Sequence, residues 1–294
     1  MEEIYSLLES CRNGDQRCLC DFYSLCSNQN FFERILSLAI SSDLDPFVLS
    51  LLLYGLGSSC LELPEDFAIV LTGFLNDRQL LPAAANLLGN KFGAETILKL
   101  AENAQGTQLY GIVVAFDHLF RRELVEGDIA VRTFIFLGGY FLKETDPSIL
   151  SDIAIVISRF NGLNDIPAEM QSSFVSSMIL KRDIRDYIYL FADFFNQVTI
   201  SDQRIMNTAV DILLGLEDLQ EILAILMLLY NFLIILQVTP YDSYNLIFYL
   251  VELLRSIQKQ EVTDMVSFAE LIFNDDEDIS YSEASEVFGR AMQL

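Results

Sequence analysis

Apolar residues recur along the chain at the spacing of an α-helix. Ile149, Ile153 and Val156 lie four and three residues apart, which places them on one helical face. Three other segments show the same one-sided pattern: Ile184, Tyr187, Ile188, Phe191 and Phe195; Ile205, Ala209, Ile212 and Leu216; Ile247, Val251 and Leu254. Sustained alternation of apolar and polar residues between hairpin turns is absent from the sequence. The pattern therefore predicts an all-α protein.

Prolines and capping residues indicate where the predicted helices begin. Asp45-Pro46 and Asp146-Pro147 each place a capping carboxylate before a proline, whose missing N–H costs nothing in the first helical turn. The other prolines, Pro64, Pro82, Pro167 and Pro240, also stand at or near possible starts. Together these signals predict about seventeen helices of mostly about 12 to 18 residues. They begin near residues 2, 15, 29, 45, 64, 79, 92, 105, 127, 146, 166, 182, 199, 218, 241, 261 and 281.

The 294 residues contain no linker rich in proline, glycine or serine. We therefore expect one continuous domain over residues 1–294, with 1–28 as an N-terminal cap and 275–294 as an acidic loop and capping helix. Taken in pairs, the helices recur about every 28 to 42 residues, which is typical of helical-repeat arrays. Each pair of such an array buries its excess apolar surface on the next pair.

The segment Leu80-Leu81-Pro82-Ala83-Ala84-Ala85-Asn86-Leu87-Leu88-Gly89-Asn90 resembles the inner helix of an armadillo repeat. A resemblance to the armadillo/HEAT class extends over residues 29–274 and implies a right-handed α-solenoid. The sequence departs from this class in its irregular repeat lengths. It also lacks the tetratricopeptide pattern and the asparagine ladder of importin-type receptors. A compact helical bundle is the alternative architecture, because it would show the same periodicity.

The charge of the chain is strongly negative and limits its partners. It has 18 Lys and Arg against 42 Asp and Glu, a formal net charge of -24. Such a surface repels nucleic-acid phosphates, so we expect no direct nucleic-acid binding. It attracts a basic protein surface or segment, which is the partner that the composition favours.

The N-terminus and the cysteines predict a cytoplasmic or nuclear protein. The acidic start, Met1-Glu2-Glu3, is unlike a secretory or organelle-targeting segment. The five cysteines are Cys11, Cys18, Cys20, Cys26 and Cys60. The first four lie within sixteen residues but lack a C-x2-C pair of the kind that zinc sites use, so we expect buried core thiols there rather than a metal or redox site. The spacing of seven predicts that Cys11 and Cys18 share one helical face.

An uncharged stretch at residues 222–241 is long enough to cross a bilayer. Its flanks are acidic, at Glu217, Asp218 and Asp242, and lack the lysine and arginine that anchor membrane spans. We therefore expect a central helix of the fold there, with a membrane-associated protein as the alternative.

Known catalytic and cofactor motifs do not fit the sequence. His118 is the only histidine, and no nucleophile pairs with it, so a packing or surface role is predicted. Gly55-Leu56-Gly57 begins like a dinucleotide-binding loop, but Cys60 replaces the third glycine and a helix end is the simpler interpretation. Counted from Asp276, an EF-hand loop would need glycine and glutamate where Tyr281 and Val287 stand. We predict no catalytic residue, cofactor or metal.

Two basic islands and one acidic loop are the candidate partner-binding residues. The islands contain Arg121 and Arg122, and Lys181, Arg182 and Arg185; the loop contains Asp275, Asp276, Glu277 and Asp278. Cations are also favoured at helix C-termini, so the islands have a structural interpretation as well. The acidic setting of Ser280 and Ser282 makes phosphorylation there a hypothesis.

These observations predict a non-enzymatic scaffold, adaptor or chaperone-like assembly factor that binds a basic or extended protein segment in a helical groove. The alternatives are a subunit of a larger complex and a membrane-associated helical protein. A carboxylate-based enzyme is the least favoured, because paired Glu-x-x-His ligand sets need more than one histidine.

Overall fold

The computed structural model describes residues 2–12, 16–40, 44–180, 188, 190–198 and 205. Regular structure in these residues is helical throughout, which confirms the all-α prediction. The helices are α1 Glu2–Arg12, α2 Gln16–Leu25, α3 Gln29–Ile40, α4 Pro46–Ser58, α5 Phe67–Phe74, α6 Leu81–Lys91, α7 Ala94–Ala101, α8 Thr107–Phe120, α9 Gly127–Lys143, α10 Pro147–Ser158, α11 Ala168–Ile179 and α12 Ala192–Gln197. A 3-10 turn covers Leu163–Asp165.

The first eleven predicted helix starts each lie within three residues of an observed start, from α1 to α11. At two of these starts the predicted capping hydrogen bond is present: Asp45 Oδ1 accepts from the Phe47 N–H (3.0 Å), and Asp146 Oδ1 accepts from the Ser148 N–H (2.9 Å). Helix α12 lies in the region of the helix predicted to begin near 182, whose apolar stripe includes Phe195. The predicted starts near 182, 199, 218, 241, 261 and 281 lie outside the described residues, so the total of about seventeen stays a prediction.

Several helices are shorter than the sequence predicts. Helices α5 and α7 have eight residues each. After α7 the chain turns at Glu102 and Asn103, and Gly106 adopts a φ of 52° immediately before α8. This positive φ favours glycine, because residues that carry a Cβ rarely adopt it without strain. The turn brings α8 back against α7 within a short stretch of sequence.

The chain divides into two compact units, residues 1–137 with 159–162 and residues 138–158 with 163–294. The first unit contains α1 to α8 and the start of α9. The prediction of one continuous domain, with residues 1–28 and 275–294 as its two caps, stays a prediction. None of the helices in the described ranges is both long and apolar enough to cross a bilayer, and segment 222–241 lies outside these ranges.

In the first unit, α6 packs against α4 on one side and against α8 on the other. A second set of contacts joins α5 to α6 and to α7, and α7 to α8. The buried residues of α6 include four small ones: Ala83, Ala84, Ala85 and Gly89. Small side chains allow the axes of neighbouring helices to approach closely. Helices that are not consecutive in sequence therefore form a row, α4–α6–α8.

Gly89 marks the closest approach between α6 and α8. A Cβ at this position would overlap the carbonyl oxygen of Ala115 and lie 2.6 Å from the Cβ of His118. Both neighbours belong to the α8 backbone or are attached directly to it, so a side-chain rotation cannot make room. The glycine is thus required by the packing rather than by its own backbone angles.

Long polar side chains join the C-terminal ends of helices in this row. The Lys91 ammonium, at the end of α6, donates to the carbonyl oxygens of Ser59 and Leu61 beyond α4, the second at 2.9 Å. Arg122, beyond α8, donates to the carbonyl oxygen of Phe92 at 3.0 Å, just beyond α6. Cations are favoured here because unpaired carbonyls give a helix C-terminus partial negative charge.

Asn161 makes a similar connection further along the first unit. Its amide nitrogen donates to the carbonyl oxygens of Phe120 (3.0 Å) and Glu123 (2.9 Å), and its amide oxygen accepts from the Val125 N–H (3.2 Å). One side chain therefore fixes the chain segment between α8 and α9.

The second unit has an aromatic core. The Phe141 ring lies 6.3 Å from the Phe174 ring and 5.2 Å from the Phe191 ring, centroid to centroid, both edge-on. Phe194 and Phe195, on α12, extend this cluster and are fully buried. The predicted apolar stripe at Phe191 and Phe195 is therefore part of a core.

We predict that Gly89→Ala lowers the free energy of unfolding by about 1–3 kcal/mol, the usual cost of overpacking. Gly73→Ala is the matched control, because a Cβ at this position on α5 would meet no atom within 4 Å. It should be neutral or stabilising by up to about 1 kcal/mol, since alanine is the better helix former. Urea denaturation followed by circular dichroism measures both variants, and equal stability of the two would contradict the packing described.

Candidate functional site

A strip of partly exposed polar side chains crosses the first unit on α6 and α8. We call it the polar strip, and it consists of Asn86, Asn90, Asp117, His118, Arg121 and Arg159. Contacts between these side chains connect α6 to α8, and α8 to the residue that follows α10. It contains two groups of contacts, Asn90–Asn86–His118 and Arg121–Asp117–Arg159, which meet at the adjacent residues Asp117 and His118 of α8.

The α6 part of the strip is a pair of asparagines one turn apart. The Asn90 amide nitrogen donates to the Asn86 amide oxygen at 3.2 Å, and the Asn86 amide nitrogen lies 3.4 Å from His118 Nδ1. On the other side, a Cβ at Gly57 of α4 would lie 3.2 Å from the Asn86 amide oxygen. Asn86 therefore sits between α4 and α8, and the close approach at Gly89 places it within reach of both.

Burial favours the neutral form of His118. The pKa of His118 is lowered from 6.5, chiefly because burial penalises the cation; the Asp117 carboxylate raises this pKa and the Arg121 guanidinium lowers it. Since the Asn86 amide nitrogen is a donor, Nδ1 of the neutral ring accepts and Nε2 holds the proton. A doubly protonated ring would place two donors face to face.

Asp117 holds two arginines at the other end of the strip. Its carboxylate pairs with the Arg121 guanidinium at 2.6 Å and with the Arg159 guanidinium at 2.5 Å. The Asp117 side chain is 14% exposed, whereas those of Arg121 and Arg159 are 57% and 46% exposed. Two cations thus share one largely covered anion, and this end of the strip has a surplus of one positive charge.

The predicted basic island at Arg121 and Arg122 follows the last turn of α8. Arg121 belongs to the polar strip, while Arg122 donates to the Phe92 carbonyl oxygen and pairs with Glu123 at 3.1 Å. A role of either arginine in partner binding stays a prediction. The other predicted residues, Lys181, Arg182, Arg185, Asp275, Asp276, Glu277 and Asp278, lie outside the described part of the chain, as do Ser280 and Ser282.

The prediction that Cys11 and Cys18 share one helical face is wrong. Cys11 lies on α1, which ends at Arg12, and Cys18 lies on α2, which begins at Gln16. Burial was predicted for the four clustered cysteines; it holds for Cys11, Cys18 and Cys26 but not for Cys20, which is exposed, as is Cys60.

The interpretations of the Gly55-Leu56-Gly57 segment and of His118 agree with the structure. Gly55 and Gly57 lie in the last turn of α4, as the helix-end interpretation requires. His118 is half-buried on α8 and contacts Asn86, as predicted for a packing histidine.

The sequence did not single out Asn86, Asn90, Asp117 or Arg159. Arg121 stands four residues after Asp117, so the ion pair between them on one helix could have been predicted from the sequence. The contact of Arg159 with Asp117 spans 42 residues, and that of Asn86 with His118 spans 32. Neither follows from local spacing.

The polar strip is suited to binding by hydrogen bonds. An amide nitrogen carries two protons and an amide oxygen two lone pairs, so the bonds within the strip leave both asparagines with further capacity. The exposed guanidiniums offer additional donors. In the described ranges no three His, Cys, Asp or Glu side chains come together as metal ligands.

Comparison with models of known protein families and with curated proteins finds no match to this sequence.

We predict that an NMR titration gives a pKa below 6.5 for His118, which is the chain's only histidine. Asp117→Asn should lower this pKa further, because it removes the charge that stabilises the cation, and Arg121→Gln should raise it. Arg34→Gln, an exposed arginine on α3, is the control and should leave it unchanged.

The lowered pKa of His118 also makes the free energy of unfolding depend on pH. The unfolded chain protonates its histidine at a higher pH than the folded chain, so stability should fall as pH drops through the region just below 6.5. His118→Gln should remove this contribution. A measured pKa at or above 6.5 would contradict the burial of this ring.

Proposed function

We propose that this chain is a non-enzymatic scaffold that holds a protein partner against the polar strip. In this proposal the helices form a right-handed α-solenoid of the armadillo/HEAT type, with about seventeen helices in all. The protein acts in the cytoplasm or the nucleus, as an adaptor or an assembly factor.

The contacts of α6 support the repeat architecture. Helix α6 packs against α4 and α8, while α5 and α7 contact each other and their neighbours in sequence. Alternate helices thus form one row, and the intervening helices contact it from the other side. Stacked helix pairs have this contact pattern. The hydrogen bonds of Lys91 and Arg122 support it further, because each joins helix ends about one repeat apart.

The polar strip is the observation that carries the binding function. Its side chains cross from α6 to α8 and on to Arg159, so a partner along it would contact successive helix pairs. The main chain of an extended segment has alternating donors and acceptors, and asparagine side chains match both. The Arg121 and Arg159 guanidiniums would donate hydrogen bonds to backbone carbonyls and to any carboxylate of the bound segment.

The charge of the chain favours a partner that is basic overall. A net charge of -24 attracts a cationic protein over a distance of about a Debye length, roughly 10 Å at 0.1 M salt. Steering of this kind raises the rate of association, while the hydrogen bonds of the strip select the bound segment.

The test is affinity purification of the tagged chain from an extract of its own cells, without detergent, at about 50 mM and about 500 mM salt. We expect one stoichiometric partner that is recovered less well at the higher salt concentration. The double variant Asn86→Ala/Asn90→Ala should reduce its recovery about tenfold, which corresponds to about 1.4 kcal/mol.

Asn76→Ala/Asn103→Ala is the matched control, because both asparagines are exposed and lie outside the polar strip. It should recover the partner as the wild type does, and circular dichroism should show the same helix content in all three proteins. Equal recovery by the Asn86/Asn90 variant would contradict binding at the strip. Recovery that does not change with salt would contradict electrostatic steering, and a chain found only with membranes would favour the role of residues 222–241.

A further inference from the structure

Two thiols meet where α1 and α2 pack together. The Cys11 Sγ–H on α1 donates to Cys18 Sγ on α2, with 3.0 Å between the sulfur atoms. The Cys18 thiol in turn donates to the Leu7 carbonyl oxygen at 3.1 Å, so two separate contacts fix its position against α1. Both residues are buried, with 3% and 6% of their surface exposed.

The other three cysteines have different surroundings. Cys20 and Cys60 are exposed. Cys26 is buried beside Gly55, where burial raises the pKa of its thiol to about 12. Of the five cysteines, only Cys11 and Cys18 have their sulfur atoms in contact with each other.

We propose that Cys11 and Cys18 are a redox modification site, a thiol pair that hydrogen peroxide converts into a disulfide. The bonded sulfur atoms of a disulfide are about 2.0 Å apart, so the two atoms need to approach by about 1 Å. The two helices already hold them in contact, which makes this pair, rather than the exposed thiols, the one that oxidation joins.

The reaction balances with peroxide as the oxidant. One thiolate attacks a peroxide oxygen, the O–O bond breaks, and hydroxide takes up the thiol proton and leaves as water. The second thiolate then attacks the sulfenic sulfur, the S–S bond forms, the S–O bond breaks, and a second water leaves. Two thiols are oxidised by two electrons, and one peroxide is reduced to two waters.

The product ties together two helices at one edge of the first unit. Both α1 and α2 contact α4, so the crosslink constrains the segment that covers the start of the α4–α6–α8 row. A disulfide lowers the entropy of the open chain and therefore favours the packed hairpin. Amides of residues 2–12 and 16–25 should exchange with deuterium more slowly in the oxidised protein.

The test is peptide mapping of the full chain after peroxide treatment, with free thiols blocked by an alkylating reagent. Trypsin cuts after Arg12 and Arg17, which places Cys11 in peptide 1–12 and Cys18 in peptide 18–34. We expect these two peptides to be joined without reductant and to separate with it, with a mass lower by two hydrogen atoms in the joined form.

Peptide 18–34 also contains Cys20 and Cys26, so variants assign the bond. Cys20→Ser and Cys26→Ser are the matched controls and should form the joined peptides to the same extent as the wild type. Cys11→Ser and Cys18→Ser should lose them while keeping their helix content by circular dichroism. Persistence of the crosslink in Cys18→Ser would overturn the proposal. So would a wild-type chain that shows oxidised Cys20 and Cys60 but no joined peptides.

Discussion

The close approach of α6 to α8 at Gly89 is the constraint on which the first unit depends. A side chain at this position would meet the Ala115 carbonyl oxygen, so the two helices can pack this tightly only around a glycine. The approach brings Asn86 within hydrogen-bonding distance of His118. Helix α6 also packs against α4, and its buried residues include three alanines. One small-residue helix therefore joins two neighbours into a row.

Cations are scarce in this chain, and several of them have a structural use. The chain has 18 Lys and Arg against 42 Asp and Glu, so acidic residues outnumber basic ones by more than two to one. Lys91 and Arg122 nevertheless bind backbone carbonyls at helix C-termini, where a cation offsets partial negative charge. The sequence predicts partner binding for the Arg121-Arg122 island. The contacts of Arg122 fit the structural interpretation, while Arg121 and Arg159 project from Asp117 towards solvent.

Local chemistry in the sequence predicted where α1 to α11 begin, but it did not predict the lengths of all of them or their contacts. Asp45-Pro46 and Asp146-Pro147 are complete start signals, because the capping carboxylate and the proline act within four residues. The pair Asn86 and His118 depends on two helices meeting 32 residues apart, and no local pattern encodes that distance. The spacing of seven residues also led to the wrong prediction that Cys11 and Cys18 share one helical face. Asn13, Gly14 and Asp15 lie between them, and these residues are poor helix formers.

Hydrogen–deuterium exchange of Gly89→Ala and wild-type protein tests the central claim, that the first unit is a stacked row coupled through α6. In a stacked array each helix pair depends on its neighbours, so a local disturbance weakens with distance along the row. The account predicts the largest acceleration of exchange in α6 and α8, a smaller one in α4, and little change in α1 and α2. Uniform acceleration in all helices of the unit would contradict it, because a single cooperative core loses stability everywhere at once.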